Sequence, residues 1–198
     1  MQKFLDWLER VLTPLAKVIG ENKYLVAIRD GFLLSTPLLI VGSVFLLIAN
    51  FPLPQWDTWM SHLLGKDWAT MMSVPASASF DVMTILAVVG IAYSLGKQFN
   101  VDAMQAGIIA LVSFFIVTPY QTLFTPENSS KVYEVTSLPL KWMGSSGLFL
   151  GMIVALIATR LFVAIVRKGW TIKMPEGVPP TVVKSFEALI PSFLVVTL

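Results

Sequence analysis

The sequence contains no cysteine and a single histidine, His62. Without thiols there is no disulfide, no thiolate nucleophile and no thiolate-bound metal. One imidazole cannot assemble a zinc cage, so no metal and no other cofactor is expected. Charge is also scarce. Asp, Glu, Lys and Arg make up 13% of the 198 residues, where soluble domains carry about 25%. A net charge of +2 leaves no electrostatic footprint for nucleic acid. The opening MQKFLDWLERVL is amphipathic and carries acids, so it does not read as a cleavable signal.

Apolar residues take the place of the missing charge. Hydrophobic residues account for 56% of the chain and mean hydropathy is +0.75, a composition suited to lipid as solvent. The fold class expected is all-α integral membrane. Residues 1–22 are expected to form an interfacial amphipathic helix, with Phe4, Trp7, Leu8, Val11, Leu12 and Leu15 on one side and Thr13-Pro14 dividing it. Residues 23–198 are expected to form a transmembrane scaffold. Its four complete spans run approximately Tyr24–Asn50, Pro75–Lys97, Asp102–Tyr120 and Lys141–Arg167. A fifth begins near Val182. Phe186 to Leu198 alone is too short to cross a bilayer, which needs about 20 residues, so the chain reads as the front piece of a larger protein. Basic residues set the orientation. Lys3, Arg10, Lys17, Lys23, Arg29, Lys97, Arg167, Lys168, Lys173 and Lys184 fall on one side, and only Lys66, Lys131 and Lys141 on the other. This predicts a cytoplasmic N-terminus and outer loops at 51–74 and 121–140.

Few residues carry candidate chemistry. Asp81 is expected in the first turns of a helix that starts between Pro75 and Ser79, at the outer surface, where a helix N-terminus favours an anion. A proton relay or substrate contact is the sharper alternative for an intramembrane carboxylate. Arg160 lies two turns before Arg167 and is expected to snorkel to the headgroups or to meet a carboxylate inside the bundle. Arg29 and Asp30 open the first apolar run, and as helix neighbours they need not pair with each other. Gly147, Gly151, Ala155 and Thr159 recur every four residues, a small-residue stripe that lets another helix approach. His62, beside Trp59 and Leu63, reads as a solvated or interfacial side chain. Glu176, Gly177, Val178, Pro179 and Pro180 fix a turned backbone with few donors, and irregular backbone next to spans can line a substrate route. An enzyme is not expected, because Glu176 has no second acid or base in its loop.

Two stretches, YLVAIRDGFLLSTPLLIVGSVFLLI and MPEGVPPTVVKSFEALIP, resemble the membrane subunit, the IIC component, of bacterial sugar phosphotransferase systems, in the lactose/cellobiose/diacetylchitobiose branch. The resemblance runs through essentially the whole chain in order. It implies a homodimer in the bacterial plasma membrane, bound by lipid. It also implies a β-linked disaccharide substrate and a separate phosphorylated IIB protein that phosphorylates the sugar. The family's sugar-contacting residues lie in a C-terminal half that has no counterpart here, so this chain alone is expected to be inactive. A non-transporting structural module that pairs with intact permease is the alternative.

Overall fold

In a computed structural model, the protein is described at Arg10, Thr13, Lys17 and residues 19–126, 131–175 and 177–198. The expected interfacial helix over 1–22 therefore lies largely outside the described residues, as does Glu176.

The first long helix, α1, covers Lys23–Ala49. Asn22 starts it by accepting from the Tyr24 and Leu25 N–H groups at 3.0 and 3.3 Å, which satisfies two donors the helix cannot pair internally. Its buried positions are Ala27, Gly31, Ser35 and Gly42, all small, and most of the rest of its surface is exposed and apolar. α2 (Trp56–Leu64) has no fully buried residue. It is tied to its neighbours by two indoles. Trp56 donates to Ile48 O at 2.7 Å, and buried Trp68 donates to the Asp57 carboxylate at 3.0 Å.

Trp68 then opens α3 (Trp68–Phe80), which breaks at Asp81-Val82 and resumes as α4 (Met83–Gln98). The second span thus starts at Trp68 rather than Pro75, and Pro75 sits inside α3. Together α3 and α4 make a 31-residue stretch long and apolar enough to cross a membrane. α4 is the centre of the fold. Val88, Ile91, Ala92 and Leu95 are all fully buried, between α1 on one side and α5 and α7 on the others.

α5 (Ala103–Val117) is capped by Asp102, whose carboxylate accepts from Gln105 N–H at 3.0 Å. At 15 residues it is shorter than the expected third span. A β-hairpin follows in the expected outer loop. β1 (Gln121–Phe124) pairs antiparallel with β2 (Tyr133–Thr136), Gln121 opposite Thr136 and Phe124 opposite Tyr133, with every position exposed. The fourth span is also interrupted. A short α6 (Leu140–Met143) and a 3-10 turn (Ser145–Gly147) precede α7 (Leu148–Arg167). α8 (Pro180–Glu187) and α9 (Leu189–Thr197) complete the chain. They form an 18-residue apolar stretch at the place expected for the fifth span.

Four stretches meet the length and hydropathy of a membrane span: 23–49, 68–98, 145–167 and 180–197. The chain is an integral, multi-pass membrane protein built of α-helices with one short hairpin. Lipid tails are as apolar as leucine, so these helices associate through close packing rather than hydrophobic transfer. The closest approach is at Gly31, where a Cβ would lie 2.4 Å from the Ile91 backbone nitrogen. Gly42 meets Ser79 in the same way, at 2.6 Å from its Cβ. α1 therefore runs antiparallel to both α3 and α4.

Candidate functional site

The densest gathering of charge lies where α1 begins and where α4 and α7 end, and its hub is Phe99. Lys23 Nζ lies 4.9 Å from the Phe99 ring centroid, Arg160 Cζ 5.3 Å and Arg167 Cζ 5.2 Å. Three cations from two helices thus stand over one ring, where the negative face of its quadrupole attracts them. Two also cap the C-terminus of α4. Lys23 Nζ donates to Gln98 O and Arg167 Nη2 to Phe99 O, both at 3.3 Å, where cations offset the exposed carbonyls. Lys97 lies 4.7 Å from the Tyr93 ring on the same end.

Arg160 does not meet a carboxylate among the described residues. Its side chain extends toward the end of α7 and reaches the same ring as Arg167. An acid-lined cleft of about 160 Å³ is formed by Asp102, Phe162, Val166, Thr171, Lys184 and Glu187. Asp102 there is taken by Lys184 at 3.4 Å. That ion pair joins the cap of α5 to α8 and is exposed enough to contribute little to stability.

The small-residue stripe faces inward. Gly151, Ala155 and Thr159 are buried on α7. A Cβ on Gly151 would come within 2.7 Å of Thr84 Cγ2 and 2.8 Å of Val88 Cγ2, so the close neighbour at this point is α4 of the same chain. Gly147 belongs to the preceding 3-10 turn, where a Cβ would strike Trp142 O. The Thr159 hydroxyl and the Gln98 side-chain nitrogen are buried without a hydrogen-bond partner.

One expectation, that for Asp81, is corrected. Arg29 and Asp30, which need not pair, do so: Arg29 Nη2 and Nε approach Asp30 Oδ1 at 2.8 and 2.9 Å. Adjacent Cβ positions diverge, but an arginine is long enough to curl back to its neighbour. Asp81 does not sit in the first turn of its span. It terminates α3 and precedes α4 by two residues. Since Gly42 packs on Ser79 in an antiparallel pair, Asp81 lies beside the middle of α1, about 14 Å short of the Ala49 end. It lines an open recess with Lys141, Ser145 and Ser146. The positive end of α4 and the negative end of α3 both adjoin it, so the dipole argument is half cancelled.

Gly177 adopts φ +99°, in open space. Pro179 and Pro180 are exposed and start α8, with Pro180 in its first turn and Val178 half-buried before them. None of the four lines the Asp102 cleft, though Thr171 of the same connection does. His62 is exposed in α2. The Phe99 hub was not singled out by sequence, because its cations lie 76, 61 and 68 positions away along the chain. The Gly31 crossing did have a signal: Ala27, Gly31 and Ser35 repeat every four residues on the first span.

Residues 29–198 match the phosphotransferase system EIIC family. The chain is 43% identical over 192 residues to the cellobiose-specific EIIC component of Geobacillus stearothermophilus, covering 96% of this chain and 43% of that protein. It is 42% identical to the lichenan permease IIC component of Bacillus subtilis, covering 100% of this chain and 44% of that one. The fold is similar to the crystal structure of the transporter ChbC, the IIC component of an N,N'-diacetylchitobiose-specific phosphotransferase system, with a TM-score of 0.89 and 44% identity. That similarity covers 96% of this chain and 44% of ChbC. The chain therefore spans less than half the length of the relatives it matches.

Proposed function

The chain belongs to the phosphotransferase system EIIC family, and we propose that it is the N-terminal half of a sugar permease of the cellobiose, lichenan or diacetylchitobiose type. In this reading it supplies scaffold helices and dimer contacts. The sugar is a β-linked disaccharide, translocated and then phosphorylated by a separate phosphorylated IIB protein, so the chain itself is not an enzyme. Its place is the bacterial plasma membrane, with the Lys23 end cytoplasmic, in keeping with the excess of Lys and Arg there. The observation that carries the reading is similarity along nearly the whole chain to a cellobiose-specific EIIC component, at 43% identity, while covering only 43% of it.

The geometry agrees with a supporting role. A sugar site needs converging polar groups in a concave, largely enclosed pocket. The recesses described are open, and the Asp102 cleft has its carboxylate paired. The Gly177–Pro180 segment is proposed to border the sugar's route at the cytoplasmic mouth once the rest of the permease is present.

The test is to join this chain to the C-terminal half of the Geobacillus relative and express it with the matching IIB protein in cells lacking their own permease. Uptake of labelled cellobiose as its phosphate is expected from the fusion, with no saturable cellobiose binding by this chain alone. A correctly inserted fusion that takes up no β-disaccharide overturns the proposal, as does micromolar binding by the 198 residues alone.

A further inference from the structure

We propose that the Lys23–Arg160–Arg167 cluster around Phe99 is a binding site for the phosphate headgroup of an anionic phospholipid. Three observations converge on it. Each cation lies about 5 Å from one ring centroid, so no two can be further apart than twice that, about a Debye length in dilute salt. Like charges held this close repel, and no carboxylate among the described residues stands within ion-pair distance of any of the three. Asp102 is committed to Lys184, Asp30 to Arg29, and Glu21 and Glu187 make no ion pair.

The donors are also unmatched. Arg160 carries five N–H groups and makes no hydrogen bond among the described residues; there it meets the Phe99 ring. One residue before Phe99, the Gln98 amide nitrogen is buried without an acceptor among the described residues. A guanidinium in a spanning helix needs an acceptor that water supplies poorly at that depth. A phosphate fits its fork in a bidentate way, with the two other cations closing the charge balance.

Lipid is the favoured source because of where the cluster stands. It lies at the mouth of the apolar bundle, at the ends of two membrane-spanning helices. Tyr24 and Leu25, one and two residues past Lys23, are exposed and apolar, offering a surface for acyl chains under a headgroup held by the cations. Basic pockets between spans recognise anionic lipid heads in this manner. The inference needs only that the chain spans a bilayer and is independent of which sugar a complete permease carries.

The test uses the 198-residue chain, purified and stripped of lipid, then titrated with phosphatidylglycerol, phosphatidylcholine or inorganic phosphate while bound lipid is counted by native mass spectrometry. Phosphatidylglycerol is expected to be preferred over phosphatidylcholine, with the preference weakening as salt rises. Arg160→Gln should reduce that preference by about fivefold, the effect of losing one cation near a charged surface. Arg167→Gln should act alike, Arg160→Lys should retain most of it, and Lys66→Gln at the opposite end should change nothing. Circular dichroism and gel filtration identify any variant that fails to fold, and the salt dependence of the parent chain stands without variants. Equal retention of the two lipids, or an unchanged preference in folded Arg160→Gln, overturns the proposal. So does displacement of phosphatidylglycerol by millimolar inorganic phosphate, which would mark a site for a soluble anion. Failure here leaves the permease reading intact, because that rests on sugar uptake.

Discussion

Replacing Gly31 by alanine adds one methyl group where α1 and α4 cross backbone to backbone. That methyl would stand 2.4 Å from the Ile91 nitrogen and 2.6 Å from its Cα, and in return a Cβ on Gly90 would meet Gly31 O at 2.6 Å. Comfortable carbon contacts begin near 3.5 Å, so α1 and α4 must part by about 1 Å. Overpacking typically costs about 1–3 kcal/mol. The obstacle here is backbone, which cannot rotate away, so the upper figure applies. Alanine returns up to about 1 kcal/mol through its better helix propensity. The net loss is about 2 kcal/mol, roughly 30-fold in the folding equilibrium, or about 4–8 °C in melting temperature for a chain of this size. Thermal unfolding in detergent, followed by tryptophan fluorescence, measures it. Gly20→Ala is the control, because nothing stands within 4 Å of its added methyl; it should be neutral or slightly stabilising. The double variant Gly31→Ala/Gly90→Ala should lose less than the sum of the singles, since helices already parted make room for the second methyl. If Gly31→Ala melts with or above the parent, the reading of this crossing as a backbone-to-backbone contact is wrong.

Other substitutions probe other joints. Thr84→Val removes the hydroxyl that donates to Gly144 O at 2.6 Å and leaves that carbonyl only the Gly147 N–H at 3.2 Å; a loss of about 1 kcal/mol is expected, and unchanged thermal stability would refute it. Trp68→Phe deletes the donor to Asp57 and should cost about 1 kcal/mol and loosen α2, read as faster amide exchange over Trp56–Leu64; unaltered exchange there would count against the indole as a tie. Single cysteines at Glu134 and Lys173 should label from opposite sides of intact cells, Glu134 outside and Lys173 only after permeabilisation. Labelling of both from outside would contradict the proposed orientation.

The legible part of the fold was the part written in consecutive residues. Long apolar runs are a local property, and the spans they imply are where the structure has them to within a few residues, except that the second starts seven residues early, at Trp68. The breaks were less visible. Nothing in the order Ser79-Phe80-Asp81-Val82 distinguishes a helix start from a helix junction; α1 decides it, by holding Ser79 against Gly42 while Gly31 holds Ile91. Likewise the short α6 and the turn at Ser145–Gly147 owe their place to Thr84, some 60 positions earlier, which bonds Gly144 O. The Phe99 hub belongs to the same class. Lys23, Arg160 and Arg167 could be assigned to one end of the bundle by charge bias, but their convergence on a single ring is a property of three-dimensional packing. Glycine spacing sat between these extremes: on the fourth span it was read, whereas on the first it was present at Ala27, Gly31 and Ser35 and was passed over.

The uneven helix lengths shape the membrane around the protein. α5 has 15 residues and so reaches about 22 Å, short of the roughly 30 Å hydrocarbon layer, yet it presents Met104, Ile108, Val112 and Ile116 outward. α1, with 27 residues, reaches about 40 Å. Wherever acyl chains touch both, the bilayer meets a stepped wall: it must pinch inward along α5 and swell, or the long helix lean, along α1. Hydrophobic mismatch of opposite sign on two flanks gives the protein a preferred local thickness gradient, and lipids of different chain length will partition unequally between its two sides.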